Sequence, residues 1–150
     1  MSGAVQWRLL WLLNDKFSVG VSAVVVDAHG RILLLRHTFR RTDGWSLPSG
    51  WMRRGERIGA AILREIREET RLVVEPRTIF RVESGLRLRI GFFLLCTTAA
   101  NCADITVDGR EVQAADFFAP DALPDSVPAT DRAAIGEALA LLQGELPAIL

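Results

Sequence analysis

Ser18–Val26 is the segment that most narrows the fold, because five of its nine residues are valine and the others are small. β-Branched side chains lose rotamer freedom in a helix and pack well on a pleated surface, so the run reads as a strand. Asp27-Ala28-His29-Gly30 carries turn formers and Arg31–Arg36 is apolar again, which predicts a β-hairpin. Positions 37–44 are polar and arginine-rich and read as a loop; Trp45-Ser46-Leu47-Pro48 is a short extended stretch, and Ser49–Gly55 a loop with two glycines. Arg57–Arg71 has good helix formers throughout. Leu72–Val82, Gly85–Thr98 and Ile105–Phe118 read as further strands, punctuated by Pro76, Ser84-Gly85 and Asp108-Gly109. Asp131–Gln143 closes the chain as a second helix, with Thr130 as N-cap and Ile135, Leu139 and Leu142 at helical spacing. The fold class is α/β: a mixed sandwich, its strands mostly consecutive in hairpins and two helices covering the sheet.

With 150 residues, 49% apolar and 24% charged, the chain is expected to form a single domain over 1–150, and disordered, collagen-like and coiled-coil classes are excluded. Cations and acids balance at 18 each, which argues against a nucleic-acid polymer as partner. The distribution is uneven. Seven arginines face Asp43 and Glu56 between positions 31 and 57, whereas positions 101–150 hold two arginines against nine acids. Cys96 and Cys102 have no metal-ligand spacing and suit a reduced setting. The apolar run at Phe92–Cys96 is far too short for a bilayer, so no membrane partner is expected. Val5, Trp7, Leu9, Leu10, Trp11, Leu12 and Leu13 make the N-terminus apolar, but Arg8 interrupts it and neither a cationic lead nor a cleavage site fits a signal peptide. Residues 1–16 are expected to be an extension packing on the body or on a partner subunit, and the location to be cytoplasmic.

Inside the first helix, Glu65, Glu68 and Glu69 share a stripe of about 100° because positions i, i+3 and i+4 stack on one face. Ile62, Leu63, Ile66 and Thr70 form the neighbouring stripe able to pack under the sheet. Like charges at i, i+4 destabilise a helix by a few tenths of a kcal/mol per pair, so something should offset them. The offset is either a solvated charged face with Arg64 and Arg67 as local partners, or a hard divalent cation, which suits clustered carboxylate oxygens.

Gly50, Glu56, Arg64-Glu65-Ile66, Glu68-Glu69 and Leu72 stand at the spacings of the Nudix box, and the chain resembles the Nudix hydrolases. Leu47-Pro48-Ser49-Gly50 and Gly55-Glu56 agree with that family's surroundings of the box. The resemblance implies a Nudix-like α/β/α sandwich with a mixed β-sheet and two main helices. It also implies Mg2+-dependent hydrolysis, with Mn2+ as the alternative cation, of a diphosphate bond in a nucleoside diphosphate linked to another moiety. By the family pattern Glu65, Glu68, Glu69 and the Gly50 backbone would hold metal, Arg64 would hold the acids in place, and Glu56 would brace the loop. The general base is open among Glu69, Glu68 and Glu111, the last opening an acid-then-aromatic stretch that resembles the family's. Two residues depart from the pattern: Arg71 and Ser49 stand where the family usually has glycine. A helix C-terminus with positive φ suits glycine, so Arg71 is expected to cost about 1 kcal/mol on the same backbone. Ser49 is compatible with a carbonyl offered to metal if its φ is negative.

Guanidinium groups grip phosphate in bidentate fashion, which makes Arg36, Arg40, Arg41 and Arg53 candidate substrate contacts, with Trp51 and Phe39 as stacking candidates in loops. Trp45 and Phe117 flank strands and read as core; His37 reads as structural or exposed; Arg87 and Arg89 alternate with apolar residues and read as the solvent side of a strand. The expected partner is a small nucleotide-like diphosphate, with a homodimer as the candidate assembly. Rival readings are a nucleoside triphosphate pyrophosphohydrolase, a non-catalytic nucleotide-sensing module, and an isoprenoid diphosphate isomerase, which would need a catalytic cysteine in its own motif.

Overall fold

A computed structural model of the chain describes residues 3–13, 16–38, 44–85, 89–107 and 109–144. In chain order the elements are α1 (Gly3–Leu13), β1 (Ser18–Val26), β2 (Ile32–His37), β3 (Trp45–Ser46), β4 (Ser49–Trp51), α2 (Ile58–Thr70), β5 (Glu75–Gly85), β6 (Arg89–Thr97), β7 (Val112–Phe118) and α3 (Ala129–Leu142). Among the described residues the seven strands form one mixed sheet with β1 at its centre.

β1 lies parallel to β6 along its whole length, from Ser18 opposite Arg89 to Val26 opposite Thr97, and β6 is antiparallel to β5. The expected hairpin between β1 and β2 survives only at its turn, where Val26 faces Ile32. Asp27 closes that turn: its carboxylate accepts from the backbone N–H groups of His29 at 2.9 Å and Arg31 at 2.8 Å, and from Arg31 Nε at 2.8 Å. Beyond it the strands part. β4 takes the place beside β1, and β7 and β3 pair with β2. The strands are therefore less consecutive than their order along the chain suggests, because β1 finds its long partner in β6.

Alternation along β1 and β2 sends successive side chains to opposite faces. Val21, Ala23, Val25, Leu33 and Leu35 pack with Ala61, Ile62 and Ile66 of α2. Val24, Val26, Ile32 and Leu34 pack with Ala134, Ile135 and Ala138 of α3. One helix thus covers each face, which is the expected sandwich. Arg81 clamps α3 to β5, its Nε donating to Glu137 at 2.9 Å.

Several boundaries differ from the sequence reading. Residues 72–74 leave α2 without joining the sheet, since β5 starts at Glu75, and Ile105 to Val107 lie outside β7. α3 starts at Ala129 after Pro128, so Thr130 is helical and not the cap. The N-terminal extension is a helix over Gly3–Leu13, and of its described side chains Trp7, Trp11, Leu12 and Leu13 are 75%, 66%, 71% and 74% exposed. Cover from a second subunit stays an expectation. Among the described residues no helix is long and apolar enough to cross a membrane.

α2 ends as glycine-type helices do, although no glycine is present. Arg71 adopts φ 63°, ψ 4°, and its N–H donates to the Arg67 carbonyl at 3.0 Å. Buried Thr70 completes the end, its hydroxyl donating to the Ile66 carbonyl at 2.7 Å and accepting from Leu72 N–H at 3.3 Å.

Candidate active site

Ala61, Ile62, Ile66 and Thr70 bury one face of α2, and this fixes the rotation that presents the glutamates at the sheet edge. Arg64 organises them. Its Nε and Nη2 form a fork on Glu56, at 2.8 and 3.0 Å; Nη1 reaches Glu65 at 2.7 Å and Glu68 at 3.4 Å; Nη2 also donates to the Trp51 carbonyl at 3.0 Å. One guanidinium therefore ties helix, loop and β4 together, in the geometry that suits bidentate carboxylate pairing. The Arg64 bond, then the Arg53 N–H that donates to Glu56 at 2.9 Å, hold the Glu56 carboxyl down at about 2. The bond to Glu56, then that to Glu65, raises the pKa of Arg64 further. Gly55, at φ 77°, lets the chain turn between Arg53 and Glu56.

β4 is only three residues long, and its alternation separates two environments. Gly50 faces α2: a Cβ built there would overlap the carboxylate end of Glu65. Glycine is required at position 50 for close approach and not for backbone conformation, because its φ is not positive. Ser49 likewise keeps a φ outside the left-handed region, as a carbonyl donor there needs. Met52 N–H to the Val19 carbonyl at 2.9 Å and Ala23 N–H to the Pro48 carbonyl at 3.0 Å fix both ends of the strand.

A cleft of about 460 Å³ opens beside this strand, lined by His37, Ser49, Gly50, Trp51, Glu65, Glu69, Arg89 and Glu111. Of the residues singled out in the sequence, Glu65, Glu69, Gly50, Glu111 and Trp51 are brought together here. Glu111 stands just before β7, its carbonyl accepting from Thr38 N–H at 3.0 Å. Glu68 does not line this cleft but borders a smaller hollow with Glu69 and Glu111; it pairs with Arg64 and, at 3.3 Å, with Arg53, which lies with it on the exposed side. Arg36 is not brought to the cleft. It follows the α3-facing set of β2, and its guanidinium sits 5.8 Å from the Trp45 ring. Phe39, Arg40 and Arg41 lie outside the described residues, as does Arg87.

Two cleft residues have neighbours that the sequence does not reveal. His37 follows the α2-facing set of β2, and its Nδ1 lies 3.9 Å from Glu69 Oε1, both side chains being nearly buried. Arg89 is exposed, as the strand alternation suggests, and its guanidinium lies 4.8 Å from the ring centroid of half-exposed Trp51. No local signal marks either residue, since both depend on strands paired across long stretches of sequence.

A second cavity, of about 350 Å³, lies on the α3 side of the sheet. Ser22, Leu47, Gly91, Phe93 and Asp131 line it, and Ser49 and Arg89 line both cavities. Asp131, in the first turn of α3, accepts the Leu47 N–H at 3.0 Å and so fixes the chain leading into β4.

The donors suit a hard divalent cation in kind: carboxylate oxygens of Glu65 and Glu69 beside the Gly50 backbone, with Glu111 across the cleft. Among the described residues no three acid, histidine or cysteine side chains stand close enough together to hold a metal ion as they are placed here. Glu65 and Glu68 are instead neutralised by arginine.

A family model of the NUDIX domain matches residues 16–142. Nudix hydrolase 5 of Arabidopsis thaliana is 27% identical over 112 residues, 70% of this chain and 37% of that protein. The 8-oxo-dGDP phosphatase NUDT18 of Homo sapiens is 32% identical over 114 residues, 74% of this chain and 35% of that protein. The chain thus spans about a third of the length of the curated relatives it matches. Among solved structures, a UDP-X diphosphatase superposes with a TM-score of 0.74 at 21% identity, covering 99% of this chain and 74% of that one. A NUDIX hydrolase from Nitrosomonas europaea gives 0.74 at 18% identity, covering 91% and 78%. The match takes in the whole of β1–β7, the arginine-braced acidic helix and the glycine beneath Glu65, and the chain belongs to the Nudix hydrolase family.

Proposed function

We propose that this chain, acting as a single domain, hydrolyses the diphosphate bond of a nucleoside diphosphate joined to another group, with Mg2+ or Mn2+ as cofactor. The observation that carries the reading is that Glu65, Glu69 and Glu111 line one cleft beside Gly50, next to a helix braced by Arg64. A relative it resembles, the 8-oxo-dGDP phosphatase NUDT18, is named for a nucleoside diphosphate substrate, which supports chemistry at a diphosphate.

Glu65, Glu69 and the Gly50 carbonyl would hold the cation, with Glu68 recruited from its arginine partners. A bound cation would supply charge neutralisation at the diphosphate oxygens and acidify a water. The remaining tasks fall to the chain itself. Arg64 keeps the Glu65 carboxylate fixed over Gly50, so that donor needs no reorganisation when substrate arrives. Glu111 and Glu69 line the same cleft, and either can accept the proton of the attacking water. Trp51 offers a ring face at the mouth.

The test is a panel of nucleotide sugars, dinucleotides and nucleoside triphosphates with Mg2+ or Mn2+, coupled to a phosphatase that releases phosphate from the products. Turnover of nucleoside diphosphate derivatives is expected, lowered at least a hundredfold in Glu65→Gln and in Glu69→Gln. Near-normal turnover in both variants would remove the acidic helix from the mechanism.

A further inference from the structure

Arg89 occupies an unusual position for a residue at the start of a strand. Gly20 lies opposite Trp51 on β4 and opposite Gly91 on β6, so Gly20, Trp51, Gly91 and, two residues from Gly91, Arg89 share the α3-facing side of the sheet. The two glycines leave a shallow trough. The Arg89 side chain crosses it: a Cβ built on Gly20 would stand 3.2 Å from Nη2 and 3.3 Å from Nε. The guanidinium comes to rest 4.8 Å from the Trp51 ring centroid. Among the described residues no carboxylate lies within ion-pair distance of it, whereas Arg31, Arg53, Arg64, Arg77 and Arg81 are each paired. The charge is thus held by a ring face and a bare strand backbone, with its donors uncommitted to an acid.

Its location gives that charge a use. Arg89 and Ser49 border both the acid-lined cleft and the cavity on the other side of β4. Any molecule that keeps a diphosphate at Glu65 and Glu69 while placing its organic part in the second cavity must pass this guanidinium. We propose that Arg89 is a substrate-binding residue that grips the phosphate carrying the organic moiety, and that Trp51 and Gly20 are positioning residues that hold it at the junction. The ligand class is a diphosphate ester whose organic group, uncharged or hydroxyl-bearing, fits a cavity of about 350 Å³ lined by serines, Phe93, Glu83 and Asp131. This deepens the diphosphate-hydrolase reading and rests on it for the orientation of the substrate.

The experiment measures binding without turnover. Calorimetric titration of the full chain in EDTA with α,β-methylene-ADP, and with methylenediphosphonate as a probe lacking the organic part, reads the junction independently of the cation. Wild-type binding of α,β-methylene-ADP is expected to exceed that of methylenediphosphonate. Arg89→Ala is expected to weaken the former by about 10- to 100-fold, the worth of a charge-assisted pair. Arg89→Lys is expected to recover less than half of that loss on a logarithmic scale, because a lysine cannot form the fork or stack flat on Trp51. Trp51→Leu, which leaves the arginine in place, is expected to weaken binding by several-fold, and Gly20→Ala likewise. With hydrolysable substrate, Arg89→Ala is expected to raise KM and leave kcat within a few-fold. Equal affinity in Arg89→Ala and wild type, full rescue by lysine, or no wild-type binding of α,β-methylene-ADP would each overturn the proposal. Loss of turnover in Glu65→Gln with unchanged EDTA-stage binding keeps the junction separate from the cation site. Intact turnover in Glu65→Gln would instead overturn the hydrolase mechanism while leaving Arg89 standing on its binding data.

Discussion

Gly50→Ala is the smallest change that separates the proposed chemistry from the fold. The added methyl falls on the carboxylate end of Glu65, and the neighbouring backbone is pinned at Pro48 and Met52. The strand cannot retreat without losing those bonds, so the cheaper response is rotation of Glu65 away from the cleft. That rotation breaks the 2.7 Å bond from Arg64 Nη1. A charge-assisted bond is worth about 1.5–3 kcal/mol, and water regained by the displaced carboxylate returns part of it. A net loss of about 1–2 kcal/mol follows, which in a chain of this size lowers Tm by about 2–8 °C. The functional loss is larger in proportion, because displacing a reacting group by about 1 Å costs roughly 100-fold. Calorimetric titration with Mn2+, coupled phosphate release and thermal unfolding would measure the three effects together. A folded variant with at least ~10-fold weaker Mn2+ binding and ~100-fold lower kcat/KM is expected. In the Glu65→Gln background the same change should cost less than threefold more. If Gly50→Ala keeps its Mn2+ affinity and turnover within about twofold, Glu65 does not work from its place over Gly50.

Arg71→Gly relieves a left-handed residue with a Cβ and is expected to raise Tm; it should exceed Arg71→Ala by about 1 kcal/mol, or about 2–4 °C, and equal melting points would show that φ 63° carries no strain. Glu56 is held at about 2 in the folded chain, against about 4.5 without its partners. The stability it contributes is therefore complete above about pH 4.5 and is lost as pH falls toward 2. Glu56→Gln should flatten the decline of the urea midpoint across that window, and an unchanged decline would place the acid sensitivity elsewhere. Arg64→Lys keeps the charge but cannot span Glu56, Glu65 and the Trp51 carbonyl at once. It is expected to lower kcat/KM at least tenfold with Tm reduced by a few degrees, and wild-type kinetics would show that the fork is dispensable.

Local chemistry was legible where neighbouring residues decide the outcome. The buried stripe of α2 and the grouping of its glutamates follow from spacing within one helix, while the bracing parts of Arg64 and Glu56 and the left-handed end at Arg71 were implied by the resemblance to the Nudix box. Features set by strand pairing were not. The hairpin expected after Val26 gives way because β6 offers β1 nine paired positions and β2 only one. Arg36 and His37 are adjacent in sequence, yet one strand's alternation sends the first to Trp45 and the second to Glu69. Arg89 looked like any arginine in an alternating strand, since its seat depends on Gly20, beneath its side chain, and on the Trp51 ring, both far back in the chain. The sharing of donors was also hidden: Glu65 and Glu69 line one cleft, while Glu68 pairs with the arginines and meets Glu69 and Glu111 at a smaller hollow beside it.

The brevity of β4 has a consequence for how such a chain can vary. Consecutive residues of this strand serve opposite sides of the sheet: Gly50 makes room for an acid, while Trp51 seats an arginine. A slip of one position would thrust the indole into Glu65 and leave Arg89 without its platform, disabling both ends of the site in a single step. Insertions and deletions should therefore be barred from positions 49–51 and absorbed by the flanking turns, so that new substrates are reached by exchanging side chains around a strand whose alignment stays fixed.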